Sequence, residues 1–398
     1  MPRILRILNR FNLGGPTYNA VFLTRFLQPE FETLLLGGEN DESEESSLFI
    51  AKRYGVEPVI IPEMKRRVSF LNDIRAYKKI KSIIREFKPD IVHTHASKAG
   101  ALGRRAAAAC DVPVIVHTFH GHVFDAYFSG LKSNLYKNIE RKLAVKTTRI
   151  IALSDNQKED LIEKYKICSE DKVEIIPLGF DLDRFAKDGG DKRERFRSKY
   201  KLSETDIAVG IIGRLVPIKN HGFFLDAFHK AKQKNPSLKA LIIGDGESRR
   251  DIENKIKQLG LRSCTAENIQ EDTDVILTSW IKDVDEVLAG LDVVALTSLN
   301  EGTPVSLIEA QAAGCPIVST EVGGIRSVVI PGVTALLSPS GNIEKYTENL
   351  MRVTEDSEFR NKLGYKGWNF VHERFHYSRL ADDMKNLYDR LLNSNKKK

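Results

Sequence analysis

The sequence predicts an α/β fold of two doubly wound parallel sheets in tandem. Three observations predict it. Short apolar runs of strand length alternate with longer amphipathic runs of helix length, the pattern of repeated strand–helix–strand units. The same rhythm restarts after a polar stretch near the middle of the chain. At 398 residues the chain is also too long for one ordinary domain.

In the first half the expected strands are Ile4–Leu8, Thr33–Leu36, Val59–Ile61, Ile91–His93, Val114–His117, Ile150–Leu153 and Val173–Ile176. Helical runs lie between them, among them Tyr18–Leu27, Phe70–Phe87, Ala99–Ala109 and Leu135–Val145. The second half repeats the scheme with strands at Ile207–Ile212, Lys239–Ile243, Val275–Thr278, Val293–Thr297 and Ile317–Ser319. Its helices include Gly222–Lys234, Arg249–Leu259 and Val305–Ala313. The join is expected near Phe185–Leu202, a stretch rich in Lys, Arg, Asp and Gly (Ala186-Lys187-Asp188-Gly189-Gly190-Asp191). The expected domains are therefore 1–185 and 186–377. A last amphipathic helix, Ser378–Leu392, carries apolar positions at Leu380, Met384, Leu387 and Leu391, and the Lys396-Lys397-Lys398 end reads as a solvated tail.

A content of 41% hydrophobic and 29% charged residues is that of a soluble globular protein. No apolar run approaches the ~20 residues that span a bilayer, and arginines break the apolar residues of the N-terminus, so neither a transmembrane helix nor a signal peptide is expected. Cys110, Cys168, Cys264 and Cys315 are scattered, without the spacing of a zinc site or a disulfide framework, which suits a reduced cytoplasmic compartment. The net charge of +7 is uneven: residues 1–180 hold 28 Lys and Arg against 22 Asp and Glu, and residues 64–147 hold 17 against 6. Phosphates, anionic lipid and nucleic acid all fit such a field.

Three loops carry candidate chemistry. Asn12-Leu13-Gly14-Gly15-Pro16 follows the first strand, and paired glycines at a strand-to-helix turn admit a ligand to the backbone or simply make the bend. Gly213-Arg214-Leu215-Val216-Pro217-Ile218-Lys219 leaves a strand at the sheet edge where such folds bind ligands. Its Arg grips a phosphate with parallel donors and its Lys adds a mobile charge, so the pair suits a diphosphate. Ser298-Leu299-Asn300-Glu301-Gly302-Thr303-Pro304-Val305 ends in a helix that Thr303 is expected to cap and Pro304 to begin. Its free first-turn N–H groups suit phosphate oxygens. Glu301 in the loop and Glu309 on the second turn reach different depths, and each accepts two hydrogen bonds from sugar or ribose hydroxyls. A glycosidase pair ranks low, because hydrolysis needs no phosphate-holding groups around it.

His117, His120 and His122 crowd one strand end, but strand alternation separates them and no carboxylate or cysteine joins them. One imidazole bonding a sugar, with the others packed or exposed, is the better reading; His93 and His95 read as structural. The pairs Asp181/Asp183 and Asp283/Asp285 fit capping and turn roles, and no metal is expected.

These residues resemble glycosyltransferase family 4, of GT-B architecture, nearly end to end. The resemblance rests on Gly14-Gly15, Thr118-Phe119-His120-Gly121, Ile176-Pro177-Leu178-Gly179-Phe180-Asp181 with Arg184-Phe185, Gly213-Arg214 with Lys219, Gly244-Asp245-Gly246, and Glu301 seven residues before Glu309. It implies two Rossmann-like domains facing a central cleft, with the last helix (about 378–398) crossing back to the first. It implies retaining transfer of a hexose or N-acetylhexosamine from a nucleotide-sugar, commonly UDP-linked, to a glycan or lipid-linked acceptor, as in cell-surface polysaccharide synthesis, with no cofactor and no obligatory metal. Arg214 and Lys219 would bind the donor diphosphate and stabilise the leaving group, Glu301 the hexose and Glu309 the ribose. His120 would bond the sugar near its reacting carbon. Gly14 and Gly15 would let their loop close over phosphate or acceptor, and backbone groups around Ile281 and Lys282 would meet the base. Gly213, Gly244, Gly302, Thr303, Pro304 and Val305 complete the expected donor site.

Two departures stand out. Thr303 replaces a common aromatic residue, which leaves the donor sugar open, and the polar stretch Ser263–Asp274 is longer than usual. Basic helices (Arg75, Lys78, Lys79, Lys81, Arg85, Lys88; Lys132, Lys137, Arg141, Lys142) suit either peripheral docking on an anionic inner membrane face or plain solvation. The rival readings are a nucleotide-sugar epimerase of the same shape and a basic nucleic-acid-binding protein. The second lacks any nucleic-acid motif, so no nucleic-acid partner is expected. Gly244-Asp245-Gly246-Glu247-Ser248-Arg249 lacks the third glycine of a dinucleotide fingerprint.

Overall fold

The computed structural model describes residues 1–12, 14–40, 46–65, 69–120, 131–186 and 190–395. Leu13, Gly121, His122, Lys187-Asp188-Gly189 and the Lys396-Lys397-Lys398 end therefore lie outside the described residues. The chain divides into two compact units, Met1–Phe180 with Arg374–Lys398, and Asp181–Glu373.

The first unit holds a seven-stranded sheet of β1 (Arg3–Arg10), β2 (Glu32–Gly38), β3 (Val59–Ile60), β4 (Ile91–His95), β5 (Val114–Thr118), β6 (Arg149–Ala152) and β7 (Val173–Ile175). All pairings are parallel, in the order β3-β2-β1-β4-β5-β6-β7. Parallel strands need crossovers, and the intervening helices cover both faces. One face receives the helix Phe70–Phe87 through Ala76, Ile80 and Ile84. The other receives the helix Tyr377–Asn395, whose Leu380, Met384, Leu387 and Leu391 are all buried against Ile4, Leu23, Ile91 and Val116. At about 2 kcal/mol for each such side chain, this helix is part of the first unit's core.

The second unit repeats the plan with β8 (Ile207–Ile212), β9 (Leu238–Ile243), β10 (Ser263–Thr265), β11 (Val275–Leu277), β12 (Val293–Leu296), β13 (Ile317–Glu321) and β14 (Ala335–Pro339). These are again parallel, in the order β10-β11-β9-β8-β12-β13-β14. Val209, Ile211, Phe224, Phe228, Ala240, Ile242 and Val293 form its core. Both edge strands, β10 and β14, escape the sequence reading. β10 opens the unassigned stretch Ser263–Asp274, whose last residue bonds Arg262 and Lys232.

Candidate active site

β8 is the first strand of its unit, and β9 and β12 flank it on opposite sides. The chain therefore departs in opposite directions from the carboxyl ends of β8 and β12. A crevice forms where that reversal occurs, and ligands bind there in folds of this kind. The two loops that meet at this point are the ones the sequence singles out.

Lys219 Nζ donates to Glu301 Oε1 across this switch point, and Ser298 Oγ donates to the same oxygen at 2.6 Å. Both ionic side chains are largely buried, so the pair is weakly screened. Its placement is fixed by backbone. The Leu299 N–H donates to the Ile218 carbonyl at 2.8 Å, and the Thr297 hydroxyl donates to the carbonyls of Lys219 and Asn220 at 3.0 and 3.1 Å. Asn220, left-handed at φ 50°, turns the chain into the helix His221–Lys234, a conformation asparagine tolerates better than most residues. Arg214 is exposed and has no ion-pair partner among the described residues.

Gly213 and Gly244 hold two loops against each other. A Cβ on Gly244, at φ 137°, would lie 2.0 Å from the Gly213 carbonyl oxygen. The Gly213 N–H donates to the Ile243 carbonyl at 3.0 Å and the Leu215 N–H to the Asp245 carbonyl at 2.9 Å. Gly244→Ala is therefore expected to cost about 2 kcal/mol or more, a Tm loss of several degrees, measurable by thermal denaturation; an unchanged Tm would contradict the backbone contact.

Gly323 and Gly324, which the sequence reading does not single out, pack against the loop that carries Glu301. Side chains there would meet the carbonyl oxygens of Glu301 and Gly302 at 2.1 and 1.9 Å. A Gly-Gly pair directly after a strand, as at Gly14-Gly15, was the available signal.

The helix Val305–Ala312 starts one residue later than expected. Pro304 is extended and is itself the N-cap, so Thr303 lies in the loop and no side chain caps the helix. Its first-turn N–H groups thus lack side-chain partners, as an anion site requires. Gly302 is exposed, Thr303 and Val305 are half-buried and Pro304 is buried. Glu309 sits on the second turn, and burial pushes its carboxyl up to about 7; Arg184 pulls it down and Asp285 pushes it up. Arg184, noted only as part of a motif, binds Asp285 through Nε at 3.1 Å, and Lys192 reaches the other oxygen at 3.0 Å. Asp285 thus carries ion pairs, and Asp283 precedes the helix Val284–Gly290 without a capping bond. Ile281 is half-buried and Lys282 exposed in the loop after β11, which Ser279 ties to Asp245 at 3.1 Å.

The first unit has its own switch point, between β1 and β4. Gly14 caps the helix Gly15–Phe26 with no side-chain bond. At the ends of β4 and β5, His93, His95 and His120 form a row, with ring centroids 4.2 and 5.2 Å apart. His95 Nδ1 lies 3.0 Å from His120 Nε2. His93 Nδ1 meets Arg6 at 2.9 Å and Tyr388 at 2.6 Å, and its Nε2 meets Thr118 at 2.7 Å. His117 points to the other face, onto Thr94 at 2.8 Å. Burial depresses all four imidazoles, His120 to about 3, and the Arg6 charge adds to the effect at His93 and His95. His95, read from sequence as structural, is thus the direct neighbour of His120.

Residues 21–184 match the family described as Glycosyltransferase Family 4, and residues 192–370 match Glycosyl transferases group 1. The chain is 31% identical over 337 residues to the UDP-Gal:alpha-D-GlcNAc-diphosphoundecaprenol alpha-1,3-galactosyltransferase of Escherichia coli, covering 84% of each chain. It is 24% identical to the capsular polysaccharide biosynthesis glycosyltransferase CapM of Staphylococcus aureus, over 86% of this chain and 87% of that one. Among solved structures, Anabaena Alr3699/HepE in complex with UDP and glucose aligns with TM-score 0.81 at 18% identity, over 98% of this chain and 100% of that one. Two parallel seven-stranded sheets, the candidate donor loops at a switch point and the match to the Escherichia coli enzyme place this chain in glycosyltransferase family 4, as a glycosyltransferase of GT-B fold.

Proposed function

We propose that the protein is a retaining hexosyltransferase that moves a hexose from a UDP-linked donor to a lipid-diphosphate-linked sugar or growing glycan. The observation that carries this is the Lys219–Glu301 pair, set at the switch point beside an uncapped helix N-terminus. Lys219, Arg214 and the first-turn N–H groups of Val305–Ala312 hold the diphosphate and stabilise the charge that builds on it as the bond to the sugar breaks. Glu301 shares its charge with Lys219 and Ser298, which makes it a poor nucleophile and a good acceptor for a hexose hydroxyl. The acceptor then attacks from the face the diphosphate leaves, and the departing phosphate takes its proton. Glu309 receives the ribose, backbone groups near Ile281 and Lys282 the base, and Gly14, Gly15 and His120 serve the phosphate, acceptor and sugar. The Escherichia coli relative uses UDP-galactose and a diphosphoundecaprenol-linked sugar, which favours galactose and a lipid diphosphate here. No metal is assigned a role. Thermal shifts with UDP-, GDP- and ADP-sugars, followed by transfer assays and NMR of the product anomer, test the reading. An inverted anomer, or sugar interconversion without acceptor, overturns it.

A lipid-linked acceptor implies a membrane surface. Among the described residues no helix is long and apolar enough to cross a membrane. The helix Phe70–Phe87 instead exposes Phe70 (79%), Leu71 (66%) and Ile74 (37%) at its start, with Arg75, Lys78, Lys79 and Arg85 exposed along it. An apolar tip continued by basic residues suits insertion among anionic headgroups. A Phe70→Ser, Leu71→Ser double variant should lose about tenfold or more of its affinity for anionic liposomes. Sedimentation that is indifferent to lipid charge removes the idea.

A further inference from the structure

The histidine row raises a question that concerns protons. His95 is fully buried, and His120, half-buried as a residue, ends the row. Their facing nitrogens, His95 Nδ1 and His120 Nε2, are 3.0 Å apart. The outer nitrogens, His95 Nε2 and His120 Nδ1, are buried with no partner among the described residues. Arg6, itself fully buried and without an acidic partner among the described residues, supplies a fixed positive charge behind the row. Burial keeps both rings neutral, and the Arg6 charge adds to the effect at His95.

Two neutral rings share one bridging proton, so only two arrangements exist. If His120 donates, the second proton sits on His95 Nε2, an orphaned N–H inside the protein that no ligand can reach. Such buried orphan donors are rare in folded proteins. If His95 donates, its Nε2 is merely an unused lone pair, and the remaining N–H is His120 Nδ1. That nitrogen is covered as well, but it belongs to a half-buried ring at the end of the row, where a small shift of the side chain brings it to a ligand, whereas His95 has no exposed surface. We infer that His95 is a positioning residue for His120: its Nδ1–H holds His120 Nε2, so that His120 presents an Nδ1–H donor to an oxygen of the substrate. The only lone pair of His120 then faces His95, so His120 takes no proton from the acceptor. The inference deepens the proposed function and rests on its reading of His120 as the side chain that meets the sugar.

Two-bond 1H–15N correlations on enzyme carrying 15N-histidine read the tautomers directly in the unmodified protein. The expected result is protonation at Nδ1 in both His95 and His120; a His120 protonated at Nε2 overturns the assignment. Activity supplies the second readout. An asparagine amide nitrogen stands near the place of Nδ1, whereas a glutamine amide reaches toward Nε2. His95→Asn is therefore expected to keep kcat within about threefold, while His95→Gln and His95→Phe lose roughly ten- to a hundredfold with donor KM unmoved, as when the orienting partner of a working histidine is removed. Equal losses in the Asn and Gln variants overturn the positioning role. A His120→Ala enzyme with full activity instead overturns the reading of His120 itself, a failure distinct from a reversed tautomer.

Discussion

Lys219→Ala is expected to lower kcat/KM for the nucleotide-sugar by about 10²–10³-fold, the range for removing one preorganised charge that stabilises a developing anion. Lys219 is prepared for that role before any donor arrives. Its backbone carbonyl accepts from Thr297, and its ammonium is held by Glu301, so little rotamer freedom remains to be lost on binding. The same contact sets up a second, less obvious result. Without Lys219, Glu301 is left largely buried with the Ser298 hydroxyl as its one remaining side-chain partner among the described residues, and an uncompensated carboxylate is costly. A Lys219→Ala, Glu301→Gln double variant should therefore regain Tm relative to Lys219→Ala alone while remaining equally inactive. Steady-state kinetics and thermal denaturation of the three proteins check both statements. A Lys219→Ala enzyme with near-normal kcat/KM removes Lys219 from the site.

Glu309→Gln is expected to make the protein more stable above neutral pH and worse at binding donor. The carboxyl is raised from 4.5 to about 7, chiefly by burial. The folded state therefore holds its proton more tightly than the unfolded state does. Between 4.5 and 7 the unfolded chain binds fewer protons, so stability falls as pH rises through that window and levels off above it. The amide removes this penalty, which is on the order of 1–3 kcal/mol for a residue that keeps part of its surface in water. Wild-type Tm should drop between pH 5 and pH 8 by several degrees more than that of the variant. Binding runs the other way: ribose hydroxyls donate to an ionised Glu309, so donor uptake near pH 6 should release a proton, and Glu309→Gln should abolish that release. Calorimetry in buffers of different ionisation enthalpy measures it. Equal proton release in the two proteins would sink the assignment of ribose to Glu309.

Much of this architecture is legible in the residues because central parallel strands are buried on both faces and must be apolar throughout. Ile207–Ile212 and Val293–Leu296 announce themselves in this way. β10 is Ser263-Cys264-Thr265 at a sheet edge, and β14 carries Ser338 and Pro339, so neither offers a continuous apolar run. The candidate site is legible as residue types at strand ends, less so as contacts. Lys219 and Glu301 stand out separately, but their union across 82 residues comes from strand order. The alternation along β5 separates His117 from His120 correctly, yet it says nothing of His95 on the neighbouring strand. The high proton affinity of Glu309 arises from tertiary burial, which no local pattern encodes.

Arg6 and Tyr388 are hydrogen-bonded over a separation of 382 residues, and the whole second unit lies between them in the chain. During synthesis the first unit therefore cannot complete its core until residues 377–395 have been made. Until then Ile4, Leu23 and Ile91 lack their covering helix, and Arg6 lacks one of its few partners. The second unit, continuous in sequence, has no such delay. The order of maturation is thus inverted, with the later-made unit free to fold first and the earlier-made one waiting with an open apolar groove, the circumstance in which nascent chains depend most on chaperones.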